Sequence, residues 1–250
     1  MNQNFNAYSQ YYDLLYKDKD YNAESEYIKN TIRQYKAQAK TLLELGAGTG
    51  KHAEILTEFG FSVTGIERSA DMVSIAKKIN NENLEFHVAD ITHFKLENKF
   101  DVATSLFHVI SYLTENTALI NTFKNVHNHL NEKGLFIFDV WYSPAVYHQT
   151  PEKRTKKLKS DSLEITRYAT PEIHTNKNLV DVNYKIEIEE LSTHKITEFE
   201  EKHPMRHFST PEIELLAIST GFKLLHSEAF LTKEKPSIHT WGVCYVLEKI

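Results

Sequence analysis

A short apolar run that ends in a glycine-rich turn constrains the fold of this chain more than any other feature. Residues 42–45 are apolar apart from Glu44, and three of the chain's eight glycines follow at Gly46, Gly48 and Gly50. Helix-like sequence begins directly after the last glycine. Glycine permits positive φ and lets a ligand approach the backbone without a Cβ in the way. A strand, a tight turn and a helix N-terminus in this order predict a small-ligand site at the carboxyl edge of a parallel sheet.

The spacing of the glycines excludes two phosphate-binding motifs. The dinucleotide motif G-x-G-x-x-G requires a glycine where Lys51 stands. The P-loop requires a glycine at Leu45 and a serine or threonine at His52. The pattern that remains is E-x-G-x-G-x-G, which begins at Glu44.

Alternating strand-like and helix-like segments follow the glycine turn. The predicted strands cover residues 61–67, 84–88, 100–105 and 134–141, and the predicted helices cover residues 51–59, 70–79 and 115–130. Repeated βα units of this kind predict a doubly wound parallel sheet.

Two acidic residues stand where such a sheet presents ligand-binding side chains. Glu67 ends the second strand, 21 residues after Gly46, where a carboxylate can accept hydrogen bonds from ribose hydroxyls. Asp90 follows the third strand. The alternative for Glu67 is a solvated residue that precedes a helix capped by Ser69.

The motifs ELGAGTG, GIERSADM, VADITHF, FDVATSLFHVISYL and GLFIFDVW resemble, in order and spacing, the class I S-adenosylmethionine (SAM)-dependent methyltransferases. The resemblance implies a Rossmann-like, doubly wound, mostly parallel seven-stranded α/β sheet with an inserted antiparallel β segment. It implies SAM as cofactor and S-adenosyl-L-homocysteine as product. The cofactor-binding residues that it implies are Tyr12, Glu44, Gly46, Ala47, Gly48, Gly50, Glu67, Arg68, Met72, Asp90, Ile91 and Leu106.

The prolines mark an internal boundary, since all six lie at or after Pro144. Residues 162–170, 179–191 and 195–203 then alternate polar and apolar side chains, which predicts an antiparallel sheet with one covered face. We therefore expect a SAM-binding domain in residues 1–144 and 207–250, with residues 1–39 as an N-terminal cover. Residues 145–206 form the predicted insertion, which covers the acceptor site or makes a dimer contact.

Composition argues against several other classes of protein. The net charge of −5 and the pI near 6.2 do not suit general nucleic-acid binding. No apolar run reaches 18 residues and the N-terminus lacks the pattern of a signal peptide, so we expect a cytoplasmic protein without a membrane span. The histidines are scattered and predict no metal site. Cys244 lies in an apolar strand pattern and is expected to be a buried thiol.

The expected acceptor class comes from a narrower resemblance. Three features resemble the N-methyltransferases of nucleotide-linked amino sugars: an N-terminal YDxxY element, the Trp141–Pro144 step and the insertion. Two positions differ from that subgroup, since Tyr112 and His239 stand near the places where we expect its histidine and its arginine. We expect a small-molecule acceptor, a monomer or homodimer, and His108, Tyr112 and Tyr16 as the residues that orient the amine or accept its proton. The sequence shows no catalytic dyad or triad. An O-methyltransferase, a methyltransferase of another small amine or acid, and a SAM-binding regulatory protein remain alternatives.

A run of basic residues between positions 153 and 159 has two interpretations. It could meet a nucleotide diphosphate, or it could be a solvated turn, and the second is favoured.

Overall fold

The computed structural model describes residues 19–250, and seven of its strands form a sheet in the spatial order β3-β2-β1-β4-β5-β11-β10. Strands β1 to β5 pair in parallel, whereas β11 runs antiparallel to β5 and to β10. The strands are β1 (Thr41–Leu45), β2 (Ser62–Glu67), β3 (Leu84–Val88), β4 (Phe100–Ser105), β5 (Leu130–Tyr142), β10 (Phe222–Ala229) and β11 (Gly242–Lys249). The predicted doubly wound, mostly parallel sheet is therefore confirmed.

Helices cover both faces of this sheet. They are α1 (Tyr21–Tyr35), α2 (Lys51–Glu58), α3 (Ala70–Ala76), α4 (Asn116–His129), α5 (Ser143–Gln149) and α6 (Thr210–Ser219), with 3-10 turns at Val109–Tyr112 and Thr175–Lys177. Alternate residues of β5 enter opposite layers: Phe136 and Phe138 pack with α4 and α6, whereas Leu135 and Ile137 pack with α1, α2 and α3. Burial on both faces explains the apolar runs of the central strands β1 and β5.

The insertion forms a separate antiparallel sheet of four strands. These are β6 (Arg154–Lys159), β7 (Leu163–His174), β8 (Leu179–Glu190) and β9 (Lys195–Phe208). The end of β9 pairs in parallel with the end of β5, so the insertion is fixed beside the carboxyl edge of the main sheet. Strand β9 ends at Phe208, two residues beyond position 206, where the insertion was predicted to end.

Two elements differ from the sequence-based expectation. The basic run from position 153 is not a turn but mostly the edge strand β6, where Arg154, Lys157 and Lys159 are exposed. Charged side chains on an edge strand oppose pairing with another chain. Helix α5 begins with Pro144 in its first turn and was not predicted. No helix in the described part of the chain is long and apolar enough to cross a membrane.

Candidate active site

A cavity of about 590 Å³ opens at the carboxyl ends of the parallel strands. Its volume lies in the range of small-molecule sites, roughly 300–1,000 Å³. The sequence-predicted residues that line it are Gly46, Gly48, Glu67, Arg68, Met72, Asp90, Ile91, His108 and Tyr112. The fold therefore brings together the glycine turn, the ends of β2 and β3, and the segment after β4.

The three glycines of the turn differ in what lies beside them. All have positive φ, but a Cβ at Gly46 would lie 2.6 Å from Val109 and one at Gly50 would lie 2.6 Å from Phe86. A Cβ at Gly48 would find only the sulfur of Met72 within 4 Å, at 3.9 Å. Gly46 and Gly50 are thus required by the packing of the protein itself. Gly48 keeps the turn open toward the cavity.

The carboxylate of Glu67 ties the glycine turn to helix α3. Its Oε2 accepts a hydrogen bond from the Gly48 amide at 3.2 Å, and its Oε1 accepts one from the Ser69 amide at 2.8 Å. A carboxylate offers about four lone-pair sites. Two remain to accept hydrogen bonds from the hydroxyls of a ligand.

Asp90 is held in place by the residue that follows Ile91. The amide and the hydroxyl of Thr92 both donate to Asp90 Oδ1, at 2.8 and 2.7 Å. Burial raises the pKa of Asp90, but these hydrogen bonds together with His93 and Arg68 outweigh it, so the pKa is lowered overall. Asp90 therefore presents an ionised, acceptor-only group beside the backbone of Ile91.

Four predicted cofactor residues do not line the cavity: Glu44, Ala47, Gly50 and Leu106. Ala47 and Leu106 pack in the apolar layer beneath the turn. Glu44 is buried at the end of β1, and its Oε2 has no hydrogen-bond partner among the described residues. Burial, with the charge of Glu67, raises the pKa of Glu44 to about 8. Oε1 of Glu44 lies 3.8 Å from Nδ1 of His52, so Oε2 is the oxygen that has no partner in the described part of the chain.

His108 stands beside a buried acid that the sequence analysis did not select. Its Nδ1 lies 2.6 Å from Oδ2 of Asp139 in an ion-pair contact, and its amide donates to Oδ1 of the same residue at 3.2 Å. Asp139 is 1% exposed and lies near the end of β5. Burial raises the pKa of Asp139, but His108 outweighs burial and lowers it overall.

The sequence analysis found no catalytic dyad, whereas the structure places His108 in contact with a buried carboxylate. Asp139 and His108 lie 31 residues apart in sequence, and only the parallel pairing of β4 with β5 brings them together. The available signal was an aspartate inside the otherwise apolar run GLFIFDVW, because a buried acid requires a partner.

The insertion forms one wall of the cavity. Strands β7, β8 and β9 contribute Arg167, Val182, Tyr184, His203 and Met205 to its lining. None of these five residues was predicted, since strand alternation in sequence does not reveal which face of a sheet meets a distant cavity. Tyr12 and Tyr16 lie outside the described residues.

Comparisons with known proteins find methyltransferases. Residues 42–134 match a family model described as a methyltransferase domain. The chain is 26% identical over 216 residues to dTDP-3-amino-3,6-dideoxy-alpha-D-glucopyranose N,N-dimethyltransferase of Streptomyces fradiae, covering 85% of this chain and 82% of that one. It is 33% identical over 139 residues to dTDP-3-amino-3,4,6-trideoxy-alpha-D-glucopyranose N,N-dimethyltransferase of Streptomyces venezuelae. That match covers 54% of this chain and 58% of that relative's length. A putative methyltransferase of Geobacillus is matched over 57% of its own length.

Solved structures share the fold over nearly the whole chain. A SAM-dependent methyltransferase from Clostridium acetobutylicum superposes with a TM-score of 0.81 at 23% identity, covering 98% of both chains. The sugar N-methyltransferase KedS8 from Streptoalloteichus superposes with a TM-score of 0.79 at 21% identity, covering 94% of this chain and 92% of that one. The fold is that of these Rossmann-like methyltransferases.

Proposed function

We propose that this chain, which carries a methyltransferase domain of the class I SAM-dependent type, transfers a methyl group from SAM to the amine of a nucleotide-linked amino sugar. One observation carries the proposal. A single cavity joins the glycine turn, Glu67 and Asp90 to a wall supplied by the insertion, and His108 lines the same cavity. The cofactor end and the acceptor end are thus continuous.

The residues at the cofactor end fit the chemical groups of SAM. Glu67 retains acceptor sites for ribose hydroxyls, and Asp90 with the backbone at Ile91 suits adenine. Glu44 offers its carboxyl oxygen Oε2 for the ammonium of the methionine moiety. SAM supplies an electrophilic methyl group on a sulfonium, and the turn at Gly48 leaves space for its approach.

The insertion wall provides groups that suit a sugar linked to phosphates. The guanidinium of Arg167 lies 4.8 Å from the centre of the Tyr184 ring, and both side chains line the cavity. Arginine is suited to phosphate oxygens, and aromatic rings suit the apolar faces of sugars and bases. Relatives that act on dTDP-linked amino sugars support this acceptor class.

His108 is the group best placed to take up a proton at the centre of the cavity. The Asp139 carboxylate holds Nδ1, which leaves the other ring nitrogen for a proton from the acceptor. An amine needs only orientation and loss of one proton before it attacks a methyl group, so a histidine is a sufficient base.

The same pair supports methylation of a hydroxyl group as a second candidate. A hydroxyl acceptor needs a base during the transfer, and His108 with Asp139 could serve as one. Amine transfer is preferred because of the sugar N-methyltransferases among the relatives and structural neighbours. A purely regulatory SAM-binding protein is disfavoured, since the cavity continues past His108 to the insertion wall.

The test is product analysis with isotopically labelled SAM. The purified chain is incubated with dTDP-3-amino-3,6-dideoxy-glucose and with the matching dTDP-sugar that carries a hydroxyl in place of the amine. Mass spectrometry and NMR should find one or two labelled methyl groups on nitrogen. A label on oxygen or carbon would overturn the assignment, as would transfer to neither sugar with SAM binding intact.

A further inference from the structure

A series of hydrogen-bonded polar side chains leads away from the cavity and begins at Tyr112. The hydroxyl of Tyr112 lies 2.7 Å from Nδ1 of His203, and Nε2 of His203 lies 3.0 Å from Oε2 of Glu201. Tyr112 follows β4 in the main domain, whereas His203 and Glu201 lie on β9 of the insertion. The contact therefore forms only when the insertion folds against the main sheet.

The partners of His203 assign the direction of these hydrogen bonds. A carboxylate can only accept, so Nε2 of His203 carries the hydrogen that Glu201 accepts. In the neutral ring Nδ1 is then an acceptor, and Tyr112 must donate its hydroxyl hydrogen to it. In this series of three side chains, each hydrogen bond is donated in the direction from the cavity to Glu201.

The series of contacts ends at a buried carboxyl group. Tyr112 and His203 line the main cavity, and Glu201 borders a second cavity of about 390 Å³ on the insertion while its carboxyl oxygen Oε1 stays buried. His203 is 6% and Glu201 is 5% exposed, and Oε1 of Glu201 has no hydrogen-bond partner among the described residues. A buried carboxylate beside a histidine stabilises the positive charge that the ring carries after it takes up a proton.

Three other side chains lie around His203 in the described part of the chain. The Tyr184 ring of β8 packs edge-on against His203 at 5.0 Å, and Arg167 of β7 lies beyond that ring. Lys202, the neighbour of His203 on β9, points away and pairs with Asp181 at 2.6 Å. Within residues 19–250, Glu201 is the acidic group that contacts the imidazole.

We propose that Tyr112, His203 and Glu201 form a proton relay that takes up the proton from the ammonium left by methyl transfer. The inference rests on the proposed amine methylation. His108 takes the proton that the acceptor loses before the transfer, whereas the ammonium that the transfer leaves loses an N–H bond to Tyr112 Oη while the phenolic hydrogen moves to His203 Nδ1. The resulting imidazolium keeps its Nε2–H bond to Glu201, which balances its charge. When the site opens for the next transfer, the Nδ1 proton returns through Tyr112 to water in the main cavity, and His203 regains its starting tautomer. Tyr112 contacts the ammonium, and His203 and Glu201 act through Tyr112.

The relay matters most where one nitrogen is methylated twice. Each transfer to nitrogen leaves a positively charged ammonium, and the lone pair needed for the next transfer returns only after a proton departs. A defective relay therefore slows the second transfer and lets the monomethylated product accumulate.

The direction of these hydrogen bonds is tested, without any methyl acceptor present, by NMR of the ¹⁵N-histidine-labelled chain. The His203 signal is assigned from the His203→Gln variant. The expected result is the Nε2–H tautomer, with an Nδ1 signal that shifts in Tyr112→Phe. An Nδ1–H tautomer would place the donor on the wrong side and overturn the relay.

The function is tested by methylation of dTDP-3-amino-3,6-dideoxy-glucose in dilute buffer near neutral pH. Tyr112→Phe, His203→Gln and Glu201→Gln should each lower turnover about tenfold or more and raise the monomethylated fraction, with SAM affinity unchanged by calorimetry. Added imidazole should restore turnover in His203→Gln. The matched control is His174→Gln, which removes another histidine–carboxylate contact of the insertion, 2.8 Å long to Asp181.

The possible outcomes distinguish failure of the relay from failure of the proposed function on which it rests. A wild-type chain that methylates no amine overturns the proposed function and the role of the relay with it. An active wild type whose relay variants keep normal turnover, or match His174→Gln in loss and in product ratio, overturns the relay alone.

Discussion

At the scale of single residues, Glu67 performs two tasks with one carboxylate. It accepts hydrogen bonds from the amides of Gly48 and Ser69, and under the proposed function its remaining acceptor sites bind the ligand. Glu67→Ala should weaken SAM binding by about 1–3 kcal/mol, because hydroxyl partners are left unpaired and the turn loses an anchor. Isothermal calorimetry measures the change. Glu85→Ala, which removes an exposed carboxylate from neighbouring β3, is the control, and equal affinity in both variants would remove Glu67 from the site.

Gly48 offers a second test at this scale, since it has positive φ and faces the cavity. Gly48→Val should abolish SAM binding, because the side chain enters the ligand's space. The strain of a non-glycine residue at positive φ costs roughly 1–2 kcal/mol of stability. Gly60→Val carries the same backbone strain with nothing within 4 Å of the added Cβ, so it should lose stability but keep SAM binding. Calorimetry and thermal unfolding of both variants decide the point, and SAM binding by Gly48→Val would contradict it.

The contact between His108 and Asp139 predicts graded losses of activity. His108→Ala should lower turnover by roughly ten- to a hundredfold, and Asp139→Asn should lower it less, because the ring stays but loses its orienting charge. His194→Ala removes an exposed histidine paired with Glu189 and should have no effect. Turnover is measured at saturating SAM with the dTDP-amino sugar. Full activity in His108→Ala would show that other groups remove the proton from the acceptor.

At the scale of elements, the sequence predicted the βα units well and the edges of the insertion poorly. Strands β3 and β4 match residues 84–88 and 100–105. Strand β4 is mostly buried, whereas β3 lies at the edge of the sheet and buries only Phe86. Strand β6 was missed, since lysines on an exposed edge carry no apolar alternation on their own. Its strand conformation comes from pairing with β7.

The lysines of β6 predict a gain of association when they are removed. Lys157→Val with Lys159→Val leaves an exposed edge strand with β-branched side chains and without its charges, which favours pairing between chains. Light scattering should show larger particles at equal concentration. Lys153→Val with Lys195→Val removes the same charge outside β6 and should leave the particle size closer to that of the wild type. Identical behaviour of the two double variants would show that charge alone, and not the strand edge, controls association.

At the scale of the whole molecule, the buried carboxyl of Glu44 links stability to pH. Its pKa rises from about 4.5 in an unfolded chain to about 8 when folded, mainly through burial. The folded state therefore favours protonated Glu44, and this stabilisation is lost as pH rises from about 4.5 through 8. Each pKa unit corresponds to about 1.4 kcal/mol, so the loss reaches a few kcal/mol.

Glu44→Gln should remove that contribution. Urea unfolding at pH 5 and pH 8 should show a smaller fall in the free energy of unfolding for the variant than for the wild type. Glu85→Gln, an exposed carboxyl on β3, should follow the wild type. The prediction fails if Glu44→Gln shows the full wild-type fall.

The sequence by itself determined the class of fold and the cofactor half of the site. The glycine turn, Glu67 and Asp90 are local signals, because each lies at the end of a strand and all parallel strands end at one edge. The match to a methyltransferase domain and the shared fold confirm the predicted fold, while the roles of these residues toward the cofactor stay predictions. Only the tertiary structure decided the acceptor half. Asp139 reaches His108, and His203 reaches Tyr112, through strand pairings between segments 31 and 91 residues apart. Sequence periodicity records which face of a strand is buried but not which distant side chain it meets.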